Sequence, residues 1–327
     1  MGNMDLAEKV LERHGDVFAD IINVLVFRGE RFLEPSDLTD GPSATHYKDE
    51  EGALRQQERD VVKHSFCGPF PAVWGIENQS RVDADMVFRV MGYDYASYRG
   101  QLDSRRRRGA ENGRSRGRKG RKRPLRPVIT LVLHFGTEQR WGGPFTAAGA
   151  LELSGLPEKE GLAALISNPH INVVDVAFLP PEVRARFQSD FRVVAEYFSA
   201  VREGRFEEFR KNRYEICHPE ELLHFLRVFS GDERFDTMLS AAAEMKEKGE
   251  MTMCKIWDYV EAQGMEKGKK EIALEMLRHR EPDEKIMRYS RLSRKQIHEL
   301  KRTLSGEGSP AKDCRKKETG GHRREQR

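Results

Sequence analysis

QERDVVKHSFCGPFPAVWGIENQ, residues Gln57–Gln79, decides the reading of this 327-residue chain. Gly68-Pro69 near its middle suits a turn. If the segment His64–Trp74 closes as a hairpin about that turn, equal counting outward sets Asp60 opposite Glu77. Residues two apart on an extended strand point to the same face, so Glu77 and Gln79 aim at one spot. Two carboxylates on neighbouring strands, with a polar side chain beside them, make a seat for Mg²⁺ or Mn²⁺, hard cations that take oxygen ligands. An ion held there polarises a phosphodiester and positions a water. A polar strand face at a sheet edge is the competing explanation of the same spacing.

Words along the chain add a resemblance. DVFADIINVLVF (Asp16–Phe27), QERDVVK (Gln57–Lys63), GIENQSRVDADMVFRVMGYDYASY (Gly75–Tyr98) and PVITLVLHFG (Pro127–Gly136) resemble the Rpn family of recombination-promoting nucleases and transposase-like proteins, within the PD-(D/E)XK nuclease superfamily. The likeness continues through INVVDVAFL (Ile171–Leu179), DFRVVAEYF (Asp190–Phe198) and MTMCKIWDYVEAQGMEKGKKE (Met251–Glu271), and covers roughly Asp5 to Leu300. It implies an α/β restriction-endonuclease-like core, a mixed sheet flanked by helices, with a mainly helical C-terminal region. It also implies a Mg²⁺-dependent DNA endonuclease. The superfamily signature is an acid on one strand and acid-x-Lys on the next. Asp60 matches the first acid and Glu77 the second, while Gln79 stands where Lys is usual. Gln orients a water but brings no charge.

Charge is unevenly spread. The chain carries +4 overall, yet Gln101–Arg126 holds twelve Lys/Arg against two acids and Lys301–Arg327 nine against four, so the remainder is near −11. The first segment includes Arg105, Arg106, Arg107, Arg108, Arg118, Lys119, Arg121, Lys122 and Arg123 with almost no apolar residue. It reads as a disordered insertion (101–126) that binds phosphates by counterion release, or as a tolerated surface loop. A mean hydropathy of −0.71 and the lack of an eighteen-residue apolar run exclude a membrane span by helix. MGNMDLAEKVLERHGD has no signal-peptide core, and Leu6 stands where a myristoylation motif has Ser or Thr. Cys67, Cys217, Cys254 and Cys314 are scattered with no CxxC pair, so reduced thiols in a cytoplasm are expected.

Asp5–Phe27 reads as mainly helical, with Phe18, Ile21, Ile22 and Leu25 on one face and Gly29 as a stop. Asp16, Asp20 and Asn23 share the other face, and Asp20 is the candidate outer-shell acid. Arg31–Arg55 reads as a loop-rich connection with Pro35 and Pro42. A helix is expected near Ala84–Gln101. On it, Arg89 and Tyr93 lie four apart, as do Tyr95 and Arg99, and Arg89 is the candidate contact to DNA or the scissile phosphate. VITLVLHF suits a strand buried on both faces, with His134 packed in the core, and Ile171–Leu179 reads as a further strand ended by Pro180-Pro181.

These readings divide the chain into a nuclease-like core (1–185), a helical extension (186–250), a helical C-terminal segment (251–304) and a disordered basic tail (305–327). Phe191–Tyr197, Pro219–Phe229 and Arg234–Met245 read as helices, as do Ile272–Arg278, Glu284–Tyr289 and Ser293–Leu300. Ser293 and Gln296 form a capping-box pattern, and Ile286, Leu292, Ile297 and Leu300 suit a small core of helix-turn-helix type. The favoured function is a metal-dependent endonuclease with Asp60 and Glu77 as ligands and Gln79 orienting water. The alternatives are a DNA-binding protein of nuclease ancestry with little catalysis, and a protein that self-assembles through its helical C-terminal half.

Overall fold

The computed structural model describes residues 11–48, 54–66, 70–112, 124–153, 165–245 and 251–304. Contacts divide the chain into two units, Met1–Asp258 and Tyr259–Arg327. In the first unit the described strands are β1 (Leu38–Asp40), β2 (Ala44–Lys48), β3 (Leu54–Glu58), β4 (Val61–Ser65), β5 (Ala72–Gln79), β6 (Val128–His134) and β7 (Asn172–Asp175). Five of them form one sheet in the order β1-β4-β5-β6-β7, while β2 and β3 pair with each other. β1, β4 and β5 run antiparallel, whereas β5, β6 and β7 run parallel. The parallel step from β5 to β6 is made through helix α2 (Met86–Asn112), the crossover that parallel neighbours require. The fold is thus α/β, a mixed sheet flanked by helices.

Strand alternation divides β5 between two layers. Trp74 and Asn78 face helix α1 (Gly15–Leu25) and its flanks: Trp74 lies 5.9 Å from the Phe27 ring, and Asn78 donates to Glu12 at 2.7 Å. Gly75 and Glu77 face α2. α1 earns its place by burying Val17, Phe18, Ile21 and Ile22, each stabilising by about 1.5–3 kcal/mol relative to exposure. On the other layer, Met86, Val87 and Val90 of α2 pack on Val132, Trp141 and Ile171. β5 is buried from Ala72 through Asn78, so any polar group on it requires a partner.

Helices α3 (Pro181–Arg184), α4 (Phe191–Glu203), α5 (Phe206–Phe209), α6 (Pro219–Ser230) and α7 (Arg234–Met245) follow β7. Phe135, just past β6, meets Phe198 of α4 at 5.0 Å and Phe225 and Phe229 of α6 at 5.3 and 4.9 Å. The helices of the expected extension at 186–250 lie within the first unit. Helix α8 (Met253–Arg278) follows, with α9 (Asp283–Ser290) and α10 (Arg294–Leu304) in the second unit. That unit has its own small core of Ala273, Ile286, Leu292 and Ile297, with Leu300 packed against it. Ser293 and Gln296 exchange hydrogen bonds at the start of α10. No helix among the described residues is long and apolar enough to cross a membrane.

Three local readings are corrected. The stretch Arg31–Arg55, expected to be loop, contains β1, β2 and a 3₁₀ turn at Pro35–Asp37. β1 is a three-residue strand defined by its partner β4, so periodicity within it carries no signal. α2 runs eleven residues beyond its expected end at Gln101, which makes the first part of the basic insertion helical. Arg is a good helix former, and Asp103 pairs with Arg99 and Arg106 one turn away. Residues 113–123, with Arg118, Lys119, Arg121, Lys122 and Arg123, lie outside the described residues, as do Gly68-Pro69 and the basic tail. Finally, Ile171–Leu179 is strand only over β7, then turns as 3₁₀ through Val176–Phe178.

Candidate active site

β4 and β5 set the first acid against the second. Their register pairs Val61 with Ile76 and Val62 with Gly75, and one further step places Asp60 opposite Glu77. Asp60 sits just before β4, and its Oδ2 accepts the Asn78 backbone amide at 2.7 Å. Glu77 lies on the central strand of the sheet with no exposed surface, which excludes the sheet-edge explanation of its position. Its Oε2 stands 3.3 Å from Arg89 Nη2, while Oε1 is buried with no hydrogen-bond partner among the described residues. Burial pushes the Glu77 carboxyl well above the usual carboxylate range, and the Asp60 charge pushes further in the same direction. Arg89 and Arg59 oppose it.

Arg89 is held from several sides. Its Nη1 lies 2.8 Å from Asp83, and Nη2 donates to the Tyr93 hydroxyl at 3.4 Å. Tyr93 in turn donates to the Glu58 carbonyl at 2.9 Å. Burial and the Glu77 charge push the Tyr93 phenol up to about 12, so it stays a neutral donor. The second Arg–Tyr pair also meets, with Arg99 donating to the Tyr95 hydroxyl at 3.2 Å on an exposed part of α2. Arg89 thus lies beside Glu77 with about a third of its side chain exposed (35%). Of the basic insertion, Arg105, Arg106 and Arg107 lie on α2, and Arg106 is well exposed.

Gln79 closes β5, half-buried, and is register partner of His134 on β6. His134 is buried as expected of a core residue, yet it is more than filler. Its Nδ1 lies 2.8 Å from Asp175, which also accepts the Trp141 amide at 2.8 Å. A carboxylate only accepts, so Nδ1 is the donor in this pair. His134, Ser80, Arg81 and Gly136 line a cleft of about 650 Å³ that begins where β5 ends. Asp20 lies elsewhere in the hydrogen-bond network: its Oδ2 accepts the amides of Gln188 and Ser189 at 2.8 Å and the Ser189 hydroxyl at 2.7 Å. Those bonds give Asp20 a role in fixing the entry to α4.

Sequence reasoning missed Arg59. It is buried at 1% exposure, donates to Asp94 at 3.0 Å and covers the Tyr93 ring at 5.2 Å. Asp94 also accepts from Thr130 of β6 at 2.7 Å. Gly75 makes this possible, because a Cβ there would come within 2.5 Å of the Arg59 guanidinium. A glycine inside a strand is a signal for such close approach. The Nε and Nη1 of Arg59 have no hydrogen-bond partner among the described residues. Buried donors of a cation beside a buried acceptor of an acid make an electrostatic centre of high local field.

The donor set fits a divalent hard cation. Asp60 and Glu77 supply oxygens from adjacent strands, and the unpartnered Glu77 Oε1 is an acceptor that an ion would satisfy. Comparisons with known proteins leave the site to be read from its own chemistry: no protein-family model, curated protein or solved structure matches the chain.

Proposed function

We propose that the chain is a Mg²⁺- or Mn²⁺-dependent DNA endonuclease with a restriction-endonuclease-like core, as its resemblance to the Rpn family implies. The observation that carries this reading is the placement of Asp60 opposite a fully buried Glu77 whose Oε1 has no partner among the described residues. Element order supports it as well: a helix, an antiparallel run of strands, a helix, then a parallel strand. Asp60 and Glu77 would hold the ion, which when bound polarises the phosphodiester and acidifies water. The Asn78 amide fixes Asp60, and Arg89 balances the charge of Glu77. Gln79 orients the attacking water with a neutral amide. Arg105–Arg108 and the residues beyond them supply cations for DNA phosphates. The test is incubation of supercoiled plasmid with purified protein in Mg²⁺, Mn²⁺ or Ca²⁺. Nicked or linear product in Mg²⁺ or Mn²⁺ supports the reading; intact plasmid in all three refutes it.

One observation favours a second reading. The ion pair of Glu77 with Arg89 also serves a purely structural purpose, joining β5 to α2. In that case the chain is a DNA-binding or self-assembling protein of nuclease ancestry. DNA retained on a gel without cleavage, and with no response to divalent ions, would select it.

A further inference from the structure

A second cluster lies away from the two acids. His14 precedes α1, Asp16 sits in its first turn, and His218 precedes α6. One ligand atom from each lies within 4.8 Å of the others. His218 Nε2 stands 3.0 Å from Asp16 Oδ2, and the His14 and His218 rings stack with centroids 3.7 Å apart. Glu221, in the first turn of α6, brings Oε1 to 3.5 Å from His14 Nε2. Asp16 and His218 are 202 residues apart in the chain, and the fold alone unites them.

We infer that His14, Asp16 and His218 form a binding site for a late first-row divalent ion of the Zn²⁺ class, with Glu221 as fourth ligand. Imidazole nitrogens select Zn²⁺ and its neighbours over Mg²⁺, which separates this site from the one at Asp60 and Glu77. Zn²⁺ bonds of about 2.0–2.2 Å place tetrahedral ligands about 3.4 Å apart. Asp16 and His218 stand at 3.0 Å, slightly inside that figure, so an ion would replace their hydrogen bond, and His14 would unstack from His218 by side-chain rotation at a partly exposed position. Asp16 and Glu221 contribute two negative charges, and the buried Asp190 accepts the amides of Cys217 and His218 just behind the site. The occupied site staples the start of α1 to the start of α6. Glu12, two residues before His14, holds the Asn78 side chain, so the staple also steadies the strand between Glu77 and Gln79.

The test uses tag-free full-length protein, loaded with Zn²⁺, dialysed and assayed for bound metal. The expected result is about one Zn²⁺ per chain, with the unfolding midpoint raised by roughly 5–10 °C at a hundredfold excess over Kd. His14→Gln and His218→Gln should each weaken binding by at least about 100-fold, more than loss of a supporting contact would. Co²⁺ in the wild-type protein should give d–d absorption without a thiolate charge-transfer band, a readout that stands if a variant fails to fold. Substoichiometric metal, wild-type affinity in either variant, or a thiolate band would overturn the inference.

Discussion

The backbone amide of Asn78 donates to Oδ2 of Asp60 at 2.7 Å, tying the acid before β4 to the strand that carries Glu77. The bond holds the two carboxyl groups on adjacent strands while each would repel the other's charge. Protonation of Glu77, the positive charge of Arg89, or a bound cation relieves that repulsion.

The raised Glu77 pKa sets a pH dependence. The folded protein binds a proton at Glu77 that the unfolded chain has lost, over the window from the unfolded value near 4.5 up to the raised folded value. Stability from this group is therefore greatest below the unfolded value and is lost as pH rises through the folded one. Glu77→Gln should flatten the decline in urea-unfolding midpoint across that window. Mg²⁺ competes with the same proton, so its stabilising effect on the wild type should grow with pH. A pH profile identical in wild type and Glu77→Gln would count against the assignment.

Gly75→Ala addresses Arg59. The added methyl meets the guanidinium at 2.5 Å in a buried site where Tyr93 and Asp94 leave it little room. A loss of roughly 1–3 kcal/mol is expected, as for overpacking in a core. Chemical denaturation of the full chain measures it, and an unchanged midpoint would mean that Arg59 leaves its position freely.

Gln79 carries the departure from acid-x-Lys. Gln79→Ala should lower turnover by about 100-fold, of the order seen on losing one positioned polar group. Gln79→Lys should keep activity or raise it, because Glu77, two residues away on the same strand face, offers a carboxylate to the new cation. Initial rates of plasmid nicking decide this, with metal affinity measured alongside and expected to change far less.

Replacing Arg105, Arg106 and Arg107 together by Gln should weaken DNA binding and make the slope of log K against log salt shallower by up to about 2.7. Thermal stability should change little, since Arg106 and Arg107 are exposed on α2 and Arg105 is partly exposed. Gln101, which clasps the Arg126 backbone through bonds of 2.8 and 3.2 Å, should be left intact because it closes the base of the insertion. An unchanged salt slope would remove these residues from the DNA contact.

The Asp60–Glu77 register was legible because partners along an unbulged antiparallel ladder keep a constant sum of residue numbers, so a turn placed at the right position fixes them all. The Arg89–Tyr93 and Tyr95–Arg99 pairs were legible for a similar reason: four-residue spacing fixes neighbours on a helix. Arg59 was not, since a buried arginine depends on space left by Gly75 and on Asp94, 35 residues away. The histidine cluster joins residues still further apart and leaves no local pattern at all. The continuation of α2 was hidden because a run of arginines with glycines reads equally as loop or as exposed helix, and side-chain pairs with Asp103 favour the helix.

The most direct measurement is cleavage of supercoiled plasmid in Mg²⁺ by wild type, Asp60→Asn and Glu77→Gln, purified side by side and each checked for a cooperative unfolding transition. Nicking by the wild type and loss of it in both folded variants is the predicted result. Equal cleavage by wild type and either variant, or no cleavage by the wild type in Mg²⁺ or Mn²⁺, would contradict it.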